Sequence, residues 1–137
     1  MQRIYMIILL LAFLVIYGTA RNQQYMNSQD NYSVEIIRYT ISEDQSANFE
    51  KAYQQAGAYL RDSPYCQGYH VLHGEDEPNH YIVTIYWTSK EDHLSKFRKS
   101  PQFSNFLDLV KPYYNNIDEM KHYQATNIKW SKTNQDD

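Results

Sequence analysis

The sequence predicts one α+β domain of element order βαββαβ, in which a four-stranded antiparallel sheet carries two helices on one face. Three observations lead to this prediction. Segments rich in β-branched and aromatic residues alternate with segments whose apolar residues recur at helical spacing. A short polar turn joins the two middle strands, which is typical of a hairpin. The 137-residue chain, without its apolar leader, is long enough for one hydrophobic core and too short for two.

The leader, residues 1–20, has the pattern of an export signal. Arg3 is its only charged residue, an apolar run follows, and Gly18-Thr19-Ala20 places small residues where a signal peptidase would cut. The run is shorter than the roughly 20 residues of a membrane-spanning helix. We therefore expect a signal peptide and an exported protein, periplasmic or secreted. The alternative is an uncleaved anchor that attaches the protein to a membrane through residues 4–20.

The remaining chain divides by composition into a linker, a domain and a tail. Residues 21–31 are mostly Asn, Gln and other polar residues, which predicts a linker. Regular patterns occupy residues 32–126, and residues 127–137 form a polar C-terminal tail.

The first predicted strand and helix follow one another directly. Ser33 to Ile41 is rich in β-branched and aromatic residues, as strands are. Ser42, with Gln45 three residues later, is a capping-box pattern that predicts the start of a helix. One face of that helix is apolar and consists of Phe49, Tyr53, Ala56 and Leu60.

The second half of the domain is predicted to contain two strands, a helix and a final strand. Strands are predicted at Tyr65 to His73 and His80 to Trp87, on either side of a polar turn. Thr88 and Glu91 form a second capping-box pattern, which predicts a helix as far as about Lys99. Ser100-Pro101 restarts the helix, because proline is tolerated in a first helical turn. Ile117 to Thr126 is the fourth predicted strand.

Both faces of the sheet are predicted to be apolar. On the third strand one face carries Tyr81, Val83, Ile85 and Trp87, and the other carries Ile82, Thr84 and Tyr86. On the first strand Ile37, Tyr39 and Ile41 lie opposite Val34 and Ile36. Two helices can cover only one face, so packing against a second copy of the sheet is the simplest way to bury the other. We therefore expect a homodimer.

Composition excludes some partners. The chain is mildly acidic, with 13 Lys and Arg against 16 Asp and Glu and no basic run, so no nucleic-acid partner is expected. Cys66 is the only cysteine, which rules out an internal disulfide. His70 and His73 point to opposite faces of a strand, so no metal site is expected from them. Arg38, between apolar neighbours, needs a carboxylate partner or an anionic ligand, and Glu35 or a helix acid is the expected partner.

A run of motif residues crosses the boundary between the third strand and the second helix: Trp87-Thr88-Ser89, His93, Phe97-Arg98, Ser100-Pro101-Gln102-Phe103 and Phe106. Met120-Lys121-His122-Tyr123 follows on the fourth strand. Together with the βαββαβ order, this run resembles antibiotic biosynthesis monooxygenase (ABM) domains, and the resemblance covers residues 32–126. It implies a ferredoxin-like fold that pairs into a dimeric α+β barrel. Known members include cofactor-free oxygenases of quinols and anthrones and a haem-degrading branch.

The resemblance also implies candidate site residues. Trp87 matches a pocket Trp of the family, and His93 lies where some quinol-oxidising members carry a polar pocket residue. We expect both to be catalytic, with His93 as the base, since an unperturbed imidazole has a pKa of about 6.5. The candidate substrate-binding residues are Tyr39, Arg38, Tyr86 and Phe97, although packing also explains the two tyrosines. The expected reactants are a small aromatic substrate and O2, with no cofactor and no metal.

The chain departs from the known branches at several positions. Phe97 and Gln102 replace histidines of many small quinol monooxygenases, and Val83 replaces an Asn of some anthrone oxygenases. Ile37 and Leu107 replace the Asn and His of the haem-degrading branch, which makes that activity the less favoured expectation. Two hypotheses stay open: a cofactor-independent monooxygenase of an electron-rich aromatic, and a non-catalytic dimeric ligand-binding or scaffold domain.

Overall fold

Four strands and two main helices follow one another in the predicted order, in a computed structural model that describes residues 32–130. The elements are β1 (Ser33–Thr40), α1 (Glu43–Arg61), β2 (Cys66–His73), β3 (His80–Trp87), α2 (Pro101–Val110) and β4 (Ile117–Gln124). Residues 32–125 form one compact unit. The α+β class and the βαββαβ order are thereby confirmed. The expected signal peptide and linker, and the end of the tail, lie outside the described residues.

The sheet is antiparallel throughout, with strand order β2-β3-β1-β4. β1 is central, and its residue Glu35 faces Ile85 of β3 on one side and His122 of β4 on the other. The register of β1 with β4 shifts between Arg38 and Tyr39. Residues 33–38 pair with residues 119–124 of β4 in one continuous register, which places His122 on the same face as Glu35.

Helix α1 begins where the sequence predicts, but its cap differs. Ser42 is the N-cap residue with extended backbone, and its side chain makes no capping hydrogen bond. Its carbonyl oxygen instead accepts from the backbone N–H of Gln45 at 2.9 Å. The predicted apolar face of α1 is buried against the sheet, with Phe49, Tyr53, Ala56 and Leu60 each at most 1% exposed.

The segment between β3 and α2 differs from the continuous helix expected to reach Lys99. It consists of a π-helical turn, Asp92–Lys96, and a 3-10 turn, Phe97–Lys99. The capping residue is Ser89, whose Oγ accepts from the Asp92 N–H at 3.0 Å, while the Thr88 hydroxyl donates to the Asp92 carboxylate at 2.7 Å. Helix α2 restarts as predicted, with Ser100 Oγ accepting from the Phe103 N–H.

The two faces of the sheet differ in burial. On the face toward the helices the two central strands are buried, and Tyr39, Tyr81, Val83, Ile85 and Trp87 are each at most 1% exposed. The open face carries the half-buried Val34, Ile36, Ile82, Thr84 and Tyr86. Leu72 and Tyr123 beside them are 53% and 45% exposed. Among residues 32–130 no helix is long and apolar enough to span a membrane.

Candidate active site

A buried carboxylate stands at the centre of the helix-covered sheet face. Strand alternation places Glu35 on the same side as Ile37 and Tyr39, so its side chain points into the core and is 2% exposed. Burying a carboxylate is costly unless it is hydrogen-bonded. The indole Nε1–H of Trp87 supplies such a bond and donates to Glu35 Oε2 at 3.1 Å.

Trp87 also fixes the position of His93. The indole and imidazole rings are stacked, with centroids 4.2 Å apart and planes 2° from parallel. The π-helical turn that carries His93 has a wider backbone than an α-helix, and such turns are frequent at functional sites. His93 is 3% exposed, so its side chain is buried beside Trp87 and Glu35.

The two histidines and the carboxylate form one cluster, Glu35–His93–His122. His93 Nδ1 lies 3.7 Å from Glu35 Oε2 and 2.7 Å from His122 Nε2. His122 is half-buried on the edge strand β4. The His93–His122 contact is at hydrogen-bond distance, and the Glu35–His93 contact, through the same nitrogen of His93, is longer than a hydrogen bond. The cluster thus places two imidazoles between a fully buried carboxylate and the surface.

Burial sets the charge state of the cluster. It raises the pKa of Glu35 to about 7, against smaller opposing effects of the Trp87 hydrogen bond and the Arg98 charge. It lowers the pKa of His93 to about 3, and the charges of Arg98 and His122 act in the same direction. Burial is also the main reason why the pKa of His122 is lowered. At neutral pH Glu35 is thus the group poised between its two protonation states, and His93 is a neutral imidazole.

A small cavity of about 20 Å³ adjoins the cluster, enough for about one water molecule. Glu35, Trp87 and His93 form one part of its wall. Aromatic side chains form most of the rest: Tyr39, Tyr53, Phe97, Phe103, Phe106 and Tyr114. The exposed Arg98 and Tyr114 and the half-buried Phe103 and Met120 form its outer side.

Four of the six residues expected at the site come together at this cavity: Trp87, His93, Tyr39 and Phe97. The Tyr39 hydroxyl is 2.7 Å from the Tyr53 hydroxyl, and burial raises the pKa of Tyr39 far above its usual value, so it is a neutral hydrogen-bonding group.

Arg38 and Tyr86 lie on the open face of the sheet, away from the cavity. Arg38 pairs with Glu119 of β4 at 3.0 Å, and the expectation that Glu35 is its partner is wrong, because the two side chains point to opposite faces. The Tyr86 ring lies 5.8 Å from that of His70 and 6.0 Å from that of Tyr32. A substrate-binding role of either residue stays a prediction, and it would require a second site on the open face.

Sequence reasoning missed three residues of the site: Glu35, His122 and Arg98. Glu35 carried a usable signal, since a carboxylate in phase with Ile37 and Tyr39 on a strand must be buried with them. His122 appeared only as part of the motif on the fourth strand. Its role depends on strand register, which the sequence does not reveal.

The fold and the site define a class: small α+β sheet proteins with an aromatic-walled internal cavity between the sheet and its helices. The family model for antibiotic biosynthesis monooxygenases matches residues 33–109, more than half of the chain. The protein therefore belongs to the antibiotic biosynthesis monooxygenase family, as the motif resemblance predicted.

Individual relatives are distant. An uncharacterized protein of Bacillus subtilis, YczJ, is 26% identical over 88 residues, which are 61% of this chain and 88% of YczJ. A Bordetella bronchiseptica structure assigned to the same monooxygenases is 22% identical with a TM-score of 0.60 and covers 70% of this chain and 98% of its own. SnoaB, a cofactor-independent oxygenase from Streptomyces nogalater, is 18% identical with a TM-score of 0.54, over 77% of this chain and 98% of SnoaB. At these identities the structural likenesses establish the fold.

Proposed function

We propose that this protein is a cofactor-independent monooxygenase that oxidises an electron-rich aromatic substrate of the quinol or anthrone type with O2. The observation that carries the proposal is the Glu35–His93–His122 cluster, of which Glu35 and His93 lie in the wall of an aromatic cavity. Membership of the family and the fold shared with SnoaB, a cofactor-independent oxygenase, support the reaction class.

The first chemical step is removal of a proton from the substrate, because a phenolate or enolate reduces O2 far more readily than its conjugate acid. A general base works best when its pKa lies near the operating pH. Glu35, with a pKa of about 7, meets this requirement better than His93, with a pKa of about 3. In this proposal Glu35 is the base, in place of His93, and His93 with His122 carries the proton toward the surface.

The second step is transfer of one electron from the substrate anion to O2, followed by recombination of the radical pair into a peroxide. For an anthrone-type CH2 group, the peroxide anion regains a proton and then loses water, which leaves one oxygen atom in a carbonyl group and the other in the water. Arg98 on the outer side of the cavity places a positive charge near the substrate anion and favours its formation. The aromatic wall excludes water from the reactive intermediates.

The size of the cavity favours the alternative, a non-catalytic binding or scaffold domain. A cavity that binds benzene is on the order of 150 Å³, whereas this one is about 20 Å³. The monooxygenase proposal therefore requires Arg98, Phe103, Tyr114 and Met120 to move when the substrate enters. Arg98 and Tyr114 are exposed, whereas Phe103 and Met120 are half-buried and pack against the core, so entry of a substrate would change contacts at the core's edge.

We also propose that the protein acts as a homodimer assembled through the open sheet face. That face carries half-buried Val34, Ile36, Ile82 and Tyr86 and the more exposed Leu72. A contiguous apolar patch on the surface of a small domain commonly marks an interface.

The test is O2 consumption by the purified protein with a panel of quinols and anthrones. For an accepted substrate, kcat/KM should rise with pH through about 7, as Glu35 ionises. Glu35→Gln should lower turnover by about 10²–10⁴-fold and remove that pH dependence. His93→Ala should slow turnover less than Glu35→Gln does, and kcat/KM of this variant should still rise with pH through about 7. The exposed Glu91→Gln serves as the control carboxyl variant. Equal turnover by wild type and Glu35→Gln would contradict the base assignment, and a well-folded protein inactive on the whole panel would favour the scaffold alternative.

A further inference from the structure

The Glu35–His93–His122 cluster has a second property that proton transfer does not require. The three potential ligand atoms, one carboxylate oxygen and two imidazole nitrogens, all lie within 4.8 Å of one another. They come from three separate elements: β1, the π-helical turn and β4. Two histidines and one carboxylate are a common ligand set of zinc and of other first-row transition metals in proteins.

We propose that Glu35, His93 and His122 form a binding site for a divalent transition-metal ion, with Zn²⁺ as its best-matched occupant. This inference goes beyond the proposed oxygenase function and does not depend on it. Imidazole nitrogens favour zinc and its neighbours in the first transition row, whereas Mg²⁺ and Ca²⁺ favour oxygen-only sites.

The spacing of the ligand atoms is close to what a metal ion needs. Two ligands about 2.0–2.1 Å from a metal, at angles between those of octahedral and tetrahedral geometry, lie about 3.0–3.3 Å apart. His93 Nδ1 and His122 Nε2 are 2.7 Å apart, and His93 Nδ1 and Glu35 Oε2 are 3.7 Å apart. For the two pairs that include His93 Nδ1 a movement of a few tenths of an ångström is enough, and all three ligand atoms lie within 4.8 Å of one another. His122 is half-buried on an edge strand, so it can move without disturbing the core.

Two further features fit a metal site. Zinc sites that bind exogenous ligands keep one coordination position open, and the cavity beside Glu35 and His93 has room for about one water molecule in that position. The Trp87 indole N–H holds Glu35 Oε2 in place, which is the outer-shell support that orients a ligating carboxylate. The half-buried His122 gives an ion a route from solvent.

Occupation by a metal would oppose the proposed oxygenase reaction. The ion would bind the carboxylate oxygen that accepts the substrate proton and both nitrogens that pass it on. The metal-bound form would therefore lack the free carboxylate that is the proposed base.

The test is Zn²⁺ binding to the metal-free full-length chain, followed by calorimetry and by competition with a chromophoric chelator. The expected result is one Zn²⁺ per chain with a Kd of about 1 µM or tighter. His122→Ala should weaken this binding by about 100-fold or more, because one of three ligands is lost. Glu35→Gln should also weaken it. His73→Ala is the control, since His73 pairs with Glu50 elsewhere on the surface.

A spectroscopic arm locates the ion. Trp87 is stacked on His93, and Trp130, the other tryptophan, is replaced by Phe in the reporter variant. Co²⁺ should quench Trp87 fluorescence in the reporter, and His122→Ala should abolish the quenching at the same Co²⁺ concentration. A wild-type Zn²⁺ affinity weaker than about 100 µM, or unchanged affinity in a folded His122→Ala variant, would overturn the metal site. Neither result bears on the O2-consumption assay, so the two proposals fail separately.

Discussion

Replacing Glu35 by Gln should stabilise the protein at alkaline pH and leave it nearly unchanged at acidic pH. The carboxyl group is 2% exposed, and its pKa rises from 4.5 to about 7 because burial disfavours its charge. Gln keeps an oxygen that can accept the Trp87 indole N–H and carries no charge. The variant therefore removes the cost of the buried charge without leaving the indole unpaired.

The sign of the effect follows from linkage between protonation and folding. A carboxyl group whose pKa is raised in the folded state does not lower the free energy of unfolding at pH values below its unfolded pKa of 4.5. As the pH rises from 4.5 through about 7, the unfolded state releases this proton and the folded state retains it, so wild-type stability falls. A shift of about 2.5 units corresponds to about 3 kcal/mol at pH 8. Gln should recover most of this amount.

His93 contributes in the opposite direction. Burial lowers its pKa from 6.5 to about 3, so it costs stability as the pH falls from 6.5 toward 3. Wild type and Glu35→Gln both contain His93. Its contribution therefore cancels when their free energies of unfolding are subtracted. The measurement is urea unfolding of the full-length chain at pH 5 and pH 8, followed by circular dichroism.

The expected outcome is a stability gain for Glu35→Gln that is larger at pH 8 than at pH 5 by about 2–3 kcal/mol. The exposed Glu91→Gln is the matched control, with the same chemical change and no burial. If the two variants show the same dependence on pH, Glu35 is not desolvated in solution, and its proposed role as a base near pH 7 loses its support.

Two further predictions concern the indole and the open sheet face. Trp87→Phe should destabilise the fold by about 1–3 kcal/mol, measured by thermal melting, since Glu35 loses its hydrogen-bond donor. Without that donor the pKa of Glu35 should rise further, and the pH profile of any oxygenase activity should move to higher pH. Ile82→Lys should convert the proposed dimer into a monomer in sedimentation at tens of micromolar, while circular dichroism stays unchanged; a monomeric wild type would refute the dimer.

The first and third strands were predictable because they are rich in β-branched and aromatic residues. The predicted third strand, His80 to Trp87, coincides with β3. The second helix was less predictable, because Thr88 and Glu91 look like a capping box. The cap is in fact one residue later, at Ser89, and a π-helical turn follows. A capping pattern identifies where a helix starts, but it does not distinguish α-helical from π-helical hydrogen bonding.

Glu35 and His122 show which part of the site the sequence contains and which part only the fold supplies. Strand parity alone excludes the pairing of Glu35 with Arg38, since residues three apart on a strand point to opposite faces. The same parity predicts that Glu35 is buried with Ile37 and Tyr39. The contact with His122 requires the register of β4 as well, and a slip of one residue would turn His122 to the open face. The shift in register falls between Arg38 and Tyr39, outside the continuous stretch that pairs Glu35 with His122. The proposed base therefore follows from local sequence, whereas its histidine partner depends on a long-range strand pairing.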